Sequence, residues 1–360
     1  MHFNILQKRH HYIGLHINNH AIKALQFEIS KKSNSVKAYT NVAMPKGMIM
    51  NDDFTDQSAL SDLIIRSLDK PQHGKFSTNR VVVALPESKS FVRIIPMQLM
   101  SDAEVGNAIL FEAESYIPLP MDQVYFDWQI IDRKADGLDV LVIASPKAYV
   151  DKYIAILEKA GLSIAGIETE AQSVARALVP TKIKETILIA DIDAFKTALV
   201  MVQDGALQFT SSIPIAGNIF TERLAKAASI AAPEAEKIKR ELGFSNTVQY
   251  PNLRLQLMPA MEDFAAEIKN ILKFHYDHHE THIATLLLTG GGAKLQHIAE
   301  SLEPLLSDYA PLKVTVSNPL EHIPNLDEKA LGPYEALSFV TAIGLALWEM
   351  GELGSKGELK

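Results

Sequence analysis

One strand pattern opens both halves of this chain. Tyr12–Ile17 alternates, Asn18-Asn19 supplies a turn, Ala21–Ile29 is a second extended run, and after a turn at Lys31 to Ser35 a third strand covers Val36–Met44. The theme returns after Thr186: Ile187–Ile192, Lys196–Val202, an Asp204-Gly205 turn, and Leu207–Ile213. Helical periodicity follows each time. In the first half Asp56 to Leu68 places Leu60, Ile64, Ile65 and Leu68 on one face, and Val81–Leu85 is a short apolar run expected to be buried on both faces. In the second half helices are expected over Asn218–Ala228, Pro233–Leu242 and Met258–His275, then a strand over Ile283–Leu288, a helix from near Ala293, a strand over Val314–Val316 and a last helix over Tyr334–Trp348. Two such halves predict a duplicated α/β fold, each half a mixed sheet covered by helices, with a cleft between them as the natural ligand site. The length agrees, because 360 residues exceed what one hydrophobic core usually organises.

A separate block interrupts the first half between about Lys89 and Gly166. It reads strand Phe91–Met97, a helix opened by the capping box Ser101-x-x-Glu104 and running through Tyr116, strands Val124–Asp132 and Leu138–Ala144, and a helix Lys147–Ala160 stopped by Gly161. Pro118 and Pro120 forbid the first helix from continuing. This β-α-β-β-α order is that of a compact inserted module.

Composition narrows the function. The net charge of −8 opposes the cationic surface that a phosphate backbone needs, so a nucleic-acid reader is disfavoured. With no cysteine, the chain has no disulfides, thiolate metal sites or cysteine nucleophile, which suits a reducing compartment. The N-terminus shows no signal-peptide pattern, and the greasiest stretch, Leu337 to Trp348, is too short to span a bilayer. The expectation is a cytoplasmic protein that reaches a membrane only through a partner, with a polar, disordered tail from Gly351.

The sharpest local motif is Leu286-Leu287-Leu288-Thr289-Gly290-Gly291-Gly292, a strand running into glycines. Such a turn lets backbone approach a ligand, or simply meets a need for positive φ. It is neither a dinucleotide fingerprint nor a P-loop. Asp191 and Asp193, two apart at a strand end, point the same way and offer oxygens to Mg²⁺, or form a solvated strand end. His275, His278, His279 and His282 have the i,i+4 spacing of zinc ligands, but a helix C-terminus also favours imidazoles. No nucleophile motif appears. The stretch Phe111-Glu112-Ala113-Glu114-Ser115-Tyr116-Ile117-Pro118-Leu119-Pro120 joins an apolar helix end to a proline turn, which suits either the module's core or a groove edge for a partner peptide.

These stretches carry a resemblance. Val82-Val83-Ala84-Leu85-Pro86-Glu87-Ser88, Phe111 to Pro120, Val124 to Ile130, Ile213-Pro214-Ile215-Ala216-Gly217-Asn218, Ala235-Glu236-x-x-Lys239 and the triple glycine resemble the PilM family of type IV pilus assembly, relatives of the cell-division protein FtsA. The resemblance implies an actin-like, ribonuclease H-like duplicated two-lobe fold with an FtsA-type (SHS2) inserted subdomain. It divides the chain into a first-lobe core at 1–88, completed by 167–182 and 334–350, the insertion at 89–166, and a second lobe at 183–333 with a helical subdomain near 218–280. It also implies ATP and Mg²⁺ in the cleft. Glu236, Lys239 and Gly290 to Gly292 fall on the adenosine side, and Asp191 on the phosphate and metal side. The partner implied is the cytoplasmic N-terminal peptide of a PilN-like inner-membrane protein within an assembly that includes PilO, PilP and motor ATPases. Phe111, Tyr116 and Ile117 are the candidate apolar contacts.

This sequence departs from the family on the phosphate side. His16-Ile17 stands where the family has Asp-Ile, Asn18, Asn19 and His20 replace small residues, Asp193 replaces a glycine, and Phe195 and Lys196 replace small or hydroxyl residues. A carboxylate beside a triphosphate opposes it, and the missing aspartate removes a metal anchor. The expectation is therefore a non-catalytic scaffold with a degenerate nucleotide cleft. The alternative is an ATP-binding, weakly hydrolysing switch of the pilus or of a related type II secretion system.

Overall fold

In a computed structural model of the chain, residues 12–30, 33–180, 183–309 and 311–348 are described. The expected tail from Gly351 and the turn residues Lys31 and Lys32 lie outside them. In chain order the elements are β1 (Ile13–Ile17), β2 (Ala21–Ile29), β3 (Asn34–Ala43), α1 (Gln57–Asp69), β4 (Arg80–Leu85), β5 (Phe91–Met97), α2 (Asp102–Glu114), β6 (Val124–Arg133), β7 (Leu138–Pro146), α3 (Lys147–Lys159), β8 (Ser163–Thr169) and α4 (Glu170–Leu178). The second half continues with β9 (Ile187–Ile192), β10 (Thr197–Gln203), β11 (Ala206–Ile213), α5 (Gly217–Ala228), α6 (Ala232–Leu242), α7 (Leu253–His279), β12 (Thr285–Thr289), β13 (Lys313–Val316) and α8 (Val340–Ala346).

The duplication is explicit in the sheets. The first runs β8-β4-β1-β2-β3, with the two-residue strands His73–Gly74 and Leu326–Asp327 added at β3, and the second runs β13-β12-β9-β10-β11. In each, an antiparallel meander supplies one side and two parallel strands the other. Ile13 to Ile17 pair with Gln26 to Ile22, just as Ile187 to Ile192 pair with Val202 to Thr197. The parallel partners are β4 beside β1 and β12 beside β9. Central position explains composition: every residue of β1 is buried, and Val81 to Leu85 of β4 lie with no face to solvent. Asp56 caps α1, its carboxylate accepting the Ala59 amide at 2.9 Å.

Between the lobes, α4 and α8 pack against each other and share one core with strands of both sheets, including Leu25 of β2 and Val200 of β10. Their approach is backbone-close: a Cβ on Gly344 would sit 1.8 Å from the Ser173 carbonyl oxygen. Arg176 of α4 ties the junction together, giving one hydrogen bond to the Gly344 carbonyl at 3.0 Å and another to Glu168 Oε2 at 2.6 Å.

The inserted module is narrower than its sequence outline. Its own sheet is β5-β7-β6, backed by α2, with Val105, Ile109, Ala113 and Ile117 packed against Ile95, Val140 and Val142. The capping box forms: Glu104 accepts from the Ser101 amide at 2.8 Å and its hydroxyl at 2.7 Å. However, α3 and β8 return to the first lobe. Tyr153, Ile156 and Leu157 share a core with Leu60 and Ile64, and β8 pairs in parallel with β4. The module's sheet thus closes at Pro146, because the apolar stripe of α3 is buried against the first lobe.

Other expectations are corrected locally. α7 starts at Leu253 instead of Met258 and passes through Pro259 to His279. The helix expected from Ala293 is a single tight turn, Gly292–Lys294, with a short helix Ile298–Leu302 after it. The last helix is broken into Pro333–Ala336, a tight turn over Leu337–Phe339 and α8, whose residues are all buried. Among the described residues no helix is long and apolar enough to cross a membrane.

Candidate functional site

The turn between β1 and β2 and the turn between β9 and β10 face one another across the cleft. In the first, the Asn18 side-chain oxygen accepts the His20 and Ala21 amides, both at 3.0 Å. This side-chain mimic of a turn consumes donors that would otherwise project from it. In the second, the Asp193 amide donates to the Lys196 carbonyl at 3.1 Å, and the Asp193 carbonyl accepts from the Gly217 amide at 2.9 Å.

Side chains then join the turns. Asn18 Nδ2 donates to Asp193 Oδ2 at 3.2 Å, Lys23 Nζ stands 3.8 Å from the other Asp193 oxygen, and the His20 ring stacks on Phe195 with centroids 4.4 Å apart. Below them, Glu170 at the first position of α4 receives His16 Nε2 at 2.9 Å and Lys196 Nζ at 3.5 Å. A carboxylate there also favours the positive end of the helix.

Burial sets the acid–base character. Burial opposes ionisation of Glu170, but the hydrogen bond from His16 and the charge of Lys196 outweigh it and hold its carboxyl down at about 2. Asp191 goes the other way: burial, then the neighbouring Asp193 charge, push it up to about 8. Burial likewise raises Glu87, whose carboxyl faces Lys196 and Glu170. Burial alone would lower Lys196, but the surrounding acids, Glu170 foremost, raise it.

The sequence-predicted residues gather in two groups. Asp191 lies against the glycine turn: a Cβ on Gly290, whose φ is +81°, would come within 2.3 Å of Asp191 Oδ1. Gly292 packs on Ile192, whereas Gly291 borders open space. Glu236 and Lys239 form the second group. The Lys239 ammonium is buried and gives hydrogen bonds to the Gly217 carbonyl at 2.8 Å and Thr221 Oγ1 at 2.7 Å, and pairs with Glu236 at 2.6 Å. Burial lowers Lys239. Burial also opposes the Glu236 charge, but hydrogen bonds from Lys239 and Thr221 hold its carboxyl below the usual range. Gly217 links this group to the Asp193 turn through its amide.

The module candidates separate. Phe111 is 78% exposed, and Tyr116 is 38% exposed with Arg93 stacked 4.3 Å from its ring centre. Ile117, by contrast, is 7% exposed within the module core, so the expected contact there is corrected: its side chain is a packing residue. Three of the four histidines serve protein neighbours, and the His279 side chain lies outside the described residues. His275 is buried with Nε2 at 3.1 Å from Thr281 Oγ1, His278 Nδ1 lies 2.8 Å from the Phe274 carbonyl, and His282 stacks on Tyr276. Among the described residues no group of three or more metal-ligating side chains gathers.

Sequence reasoning assigned no role to Glu170, Glu87, Lys23 or Thr221. A signal for Glu170 was present: Thr169-x-x-Gln172 is a capping box, formed here with Thr169 accepting the Gln172 amide at 3.2 Å, and it announces a helix whose first residue is acidic. Glu87 sits inside the Ala-Leu-Pro-Glu-Ser motif, but only the tertiary fold turns it toward Lys196.

Known proteins can now be set beside this geometry. The solved structure described as a PilM–PilN type IV pilus biogenesis complex matches with a TM-score of 0.76 at 24% identity, covering 94% of this chain and 98% of that one. MreB5 of Spiroplasma citri bound to AMPPNP matches with a TM-score of 0.56 at 14% identity, covering 96% and 97%. At these identities both speak to the fold, which is actin-like. The cell division protein FtsA of Staphylococcus epidermidis is 24% identical over 216 residues, a span of 53% of this chain and 44% of FtsA. The family model of the type IV pilus assembly protein PilM matches residues 14–350. With a match of that extent, on a duplicated actin-like fold, the chain belongs to the PilM family of type IV pilus assembly proteins.

Proposed function

We propose that this protein is a cytoplasmic scaffold of type IV pilus assembly that receives the N-terminal segment of a PilN-like inner-membrane protein through its inserted module and adjoining lobe, and that its nucleotide cleft is degenerate. The observation that carries the reading is the cross-cleft bonding of Asn18 and Lys23 to Asp193 and of His16 and Lys196 to Glu170. ATP with Mg²⁺ does not fit the phosphate side as placed. A triphosphate draws on backbone amides and cations, and here the His20 and Ala21 amides serve Asn18 while Lys23 and Lys196 serve carboxylates. Asp193, Glu170 and Glu87 add negative charge where the ligand would bring more. On the adenosine side, Lys239 already meets three oxygens.

The scaffold role needs no chemistry in the cleft; it needs two lobes held in one relation and a surface for the partner. Titration calorimetry with Mg²⁺–ATP, using Glu236→Ala as control, tests the cleft, and the expected result is no saturable heat at millimolar nucleotide. Capture of a co-encoded PilN-like cytoplasmic segment by the purified protein tests the partner. The rival switch reading draws on the open space beside Gly291. It requires Mg²⁺-dependent phosphate release that Asp191→Ala abolishes, and such release would displace the scaffold reading.

A further inference from the structure

Helix α2 buries one apolar face and exposes an apolar pair on the other. Its inner face, Val105, Ile109 and Ala113, fills the module core. Its outer face, at the three- and four-residue spacing of one stripe, carries Ala103, Asn107, Leu110 and Glu114 with Phe111 and Glu104 beside them, all exposed. Leu110 is 45% exposed and Phe111 78%, adjacent to one another and outside the stripe that fills the module core.

Charge around this face has one sign. From Ser101 to Pro120, the helix and its flanks, there is no lysine, arginine or histidine, yet there are Asp102, Glu104, Glu112 and Glu114. Arg133 itself is paired with Asp102, and Arg93 is spent on the Tyr116 ring. Among the described residues Glu112 and Glu114 make no ion pair. Glu104 and Glu114, ten residues apart on the helix, stand about 15 Å apart along its axis, with Leu110 and Phe111 between them.

We propose that the outer face of α2 docks a short cationic segment with an apolar anchor. The anchor packs over Leu110 and Phe111, and lysine or arginine side chains on either side reach Glu104 and Glu114. Complementary charge selects the class, since an acidic or neutral segment would leave these carboxylates facing like charge or nothing. Lysine and arginine are usual in the cytoplasmic segment adjoining a membrane-spanning helix. The proposal rests on the reading that the module receives a membrane partner's segment, and adds the face and the chemistry.

The test uses the full chain and two fluorescent 16-residue peptides, one with leucines flanked by lysines and one with the lysines replaced by glutamates, read by anisotropy at two salt concentrations. Wild type should bind the lysine peptide at least ~10-fold more tightly than the glutamate peptide, with affinity falling as salt rises. Phe111→Asp is the discriminating variant. It adds a negative charge, so mere electrostatic attraction would tighten, whereas loss of the anchor weakens binding ~10-fold or more. Glu114→Lys should weaken it ~3- to 10-fold and flatten the salt dependence. Both positions are exposed, and unchanged thermal unfolding verifies the fold. Unaltered binding in both variants overturns the proposal, as does a wild-type dimer in sedimentation that Phe111→Asp dissolves, which would assign the face to a second copy. A PilN-like segment that binds wild type and Phe111→Asp equally leaves the scaffold reading standing and removes only this surface. Absence of PilN-like binding while the lysine peptide still binds removes the reading of the partner.

Discussion

At the scale of single residues the cleft holds acids of opposite behaviour. Asp191 is raised from an ordinary 3.8 to about 8, so folding favours its neutral form. That contribution is complete below about pH 4 and is lost as pH climbs through about 8, where the charge must sit enclosed beside Asp193. Asp191→Asn is therefore expected to stabilise the protein by ~1–3 kcal/mol at pH 8 to 9 and to change little at pH 4, as followed by urea unfolding. Glu170 carries the reverse sign. Its carboxyl is depressed from 4.5 to about 2, so its stabilisation is present above pH 4.5 and disappears as pH falls through about 2. Glu170→Gln is expected to cost ~1–3 kcal/mol at neutral pH, because it strands Lys196 and weakens the bond to His16. The penalty should shrink toward pH 2, and a penalty constant between pH 2 and 7 would show that packing, not charge, carries it. Much of this was illegible beforehand: nothing in Ile167-Glu168-Thr169-Glu170 says which of its two acids meets an arginine and which meets a histidine 154 positions away.

At the scale of elements, the strands and most helices follow from periodicity, and the exceptions have local causes. Where an element is buried on every side, its pattern carries no phase. α8 is such a case: Val340 to Ala346 are all buried, so the sequence reads as one continuous helix with the residues before it, although packing divides it. β8 was missed for a different reason, since Ser163 to Thr169 mixes small and polar residues and becomes a strand only by pairing with β4. The contact between α4 and α8 is the tightest of the glycine contacts among the described residues. Gly344→Ala places a methyl 1.8 Å from the Ser173 oxygen, a rigid backbone atom. A loss of at least ~3 kcal/mol, or failure to fold, is expected, while Gly291→Ala, which meets nothing within 4 Å, should stay within ~0.5 kcal/mol of wild type in the same assay.

At the scale of the whole molecule, the two lobes meet through the α4–α8 core and through the cleft turns. Such a joint has consequences for ligand linkage. A nucleotide present at a hundred times its dissociation constant would stabilise the folded state by about 2.7 kcal/mol, easily visible as a rise in melting temperature. With the turns bonded to each other, no rise is expected at 1 mM Mg²⁺–ATP (roughly the level at which even weak binding registers). Asp193→Ala combined with Phe195→Ala should speed hydrogen exchange of the strand-end amides flanking both turns, if the joint holds the lobes together. Unchanged exchange in that double variant would mean that the α4–α8 core alone sets the lobes' relation.

Local sequence determined the parts that depend on neighbours along the chain. Both meanders, the capping boxes at Ser101 and Thr169, and the Gly290 turn all arise from hydrogen bonds and φ preferences spanning a few residues. It also marked the two meander turns as bulky and charged, because residue type alone tells a small glycine from Asp193. Tertiary structure decided the rest: that α3 serves the first lobe instead of the module, that Ile117 turns inward while Phe111 turns out, and that Glu170 and Glu87 enter the cleft. The physical reason is range. Periodicity says that a face is apolar, but what covers it, and which distant charge meets a buried carboxylate, is settled only when sheets and helices compete for the same surface.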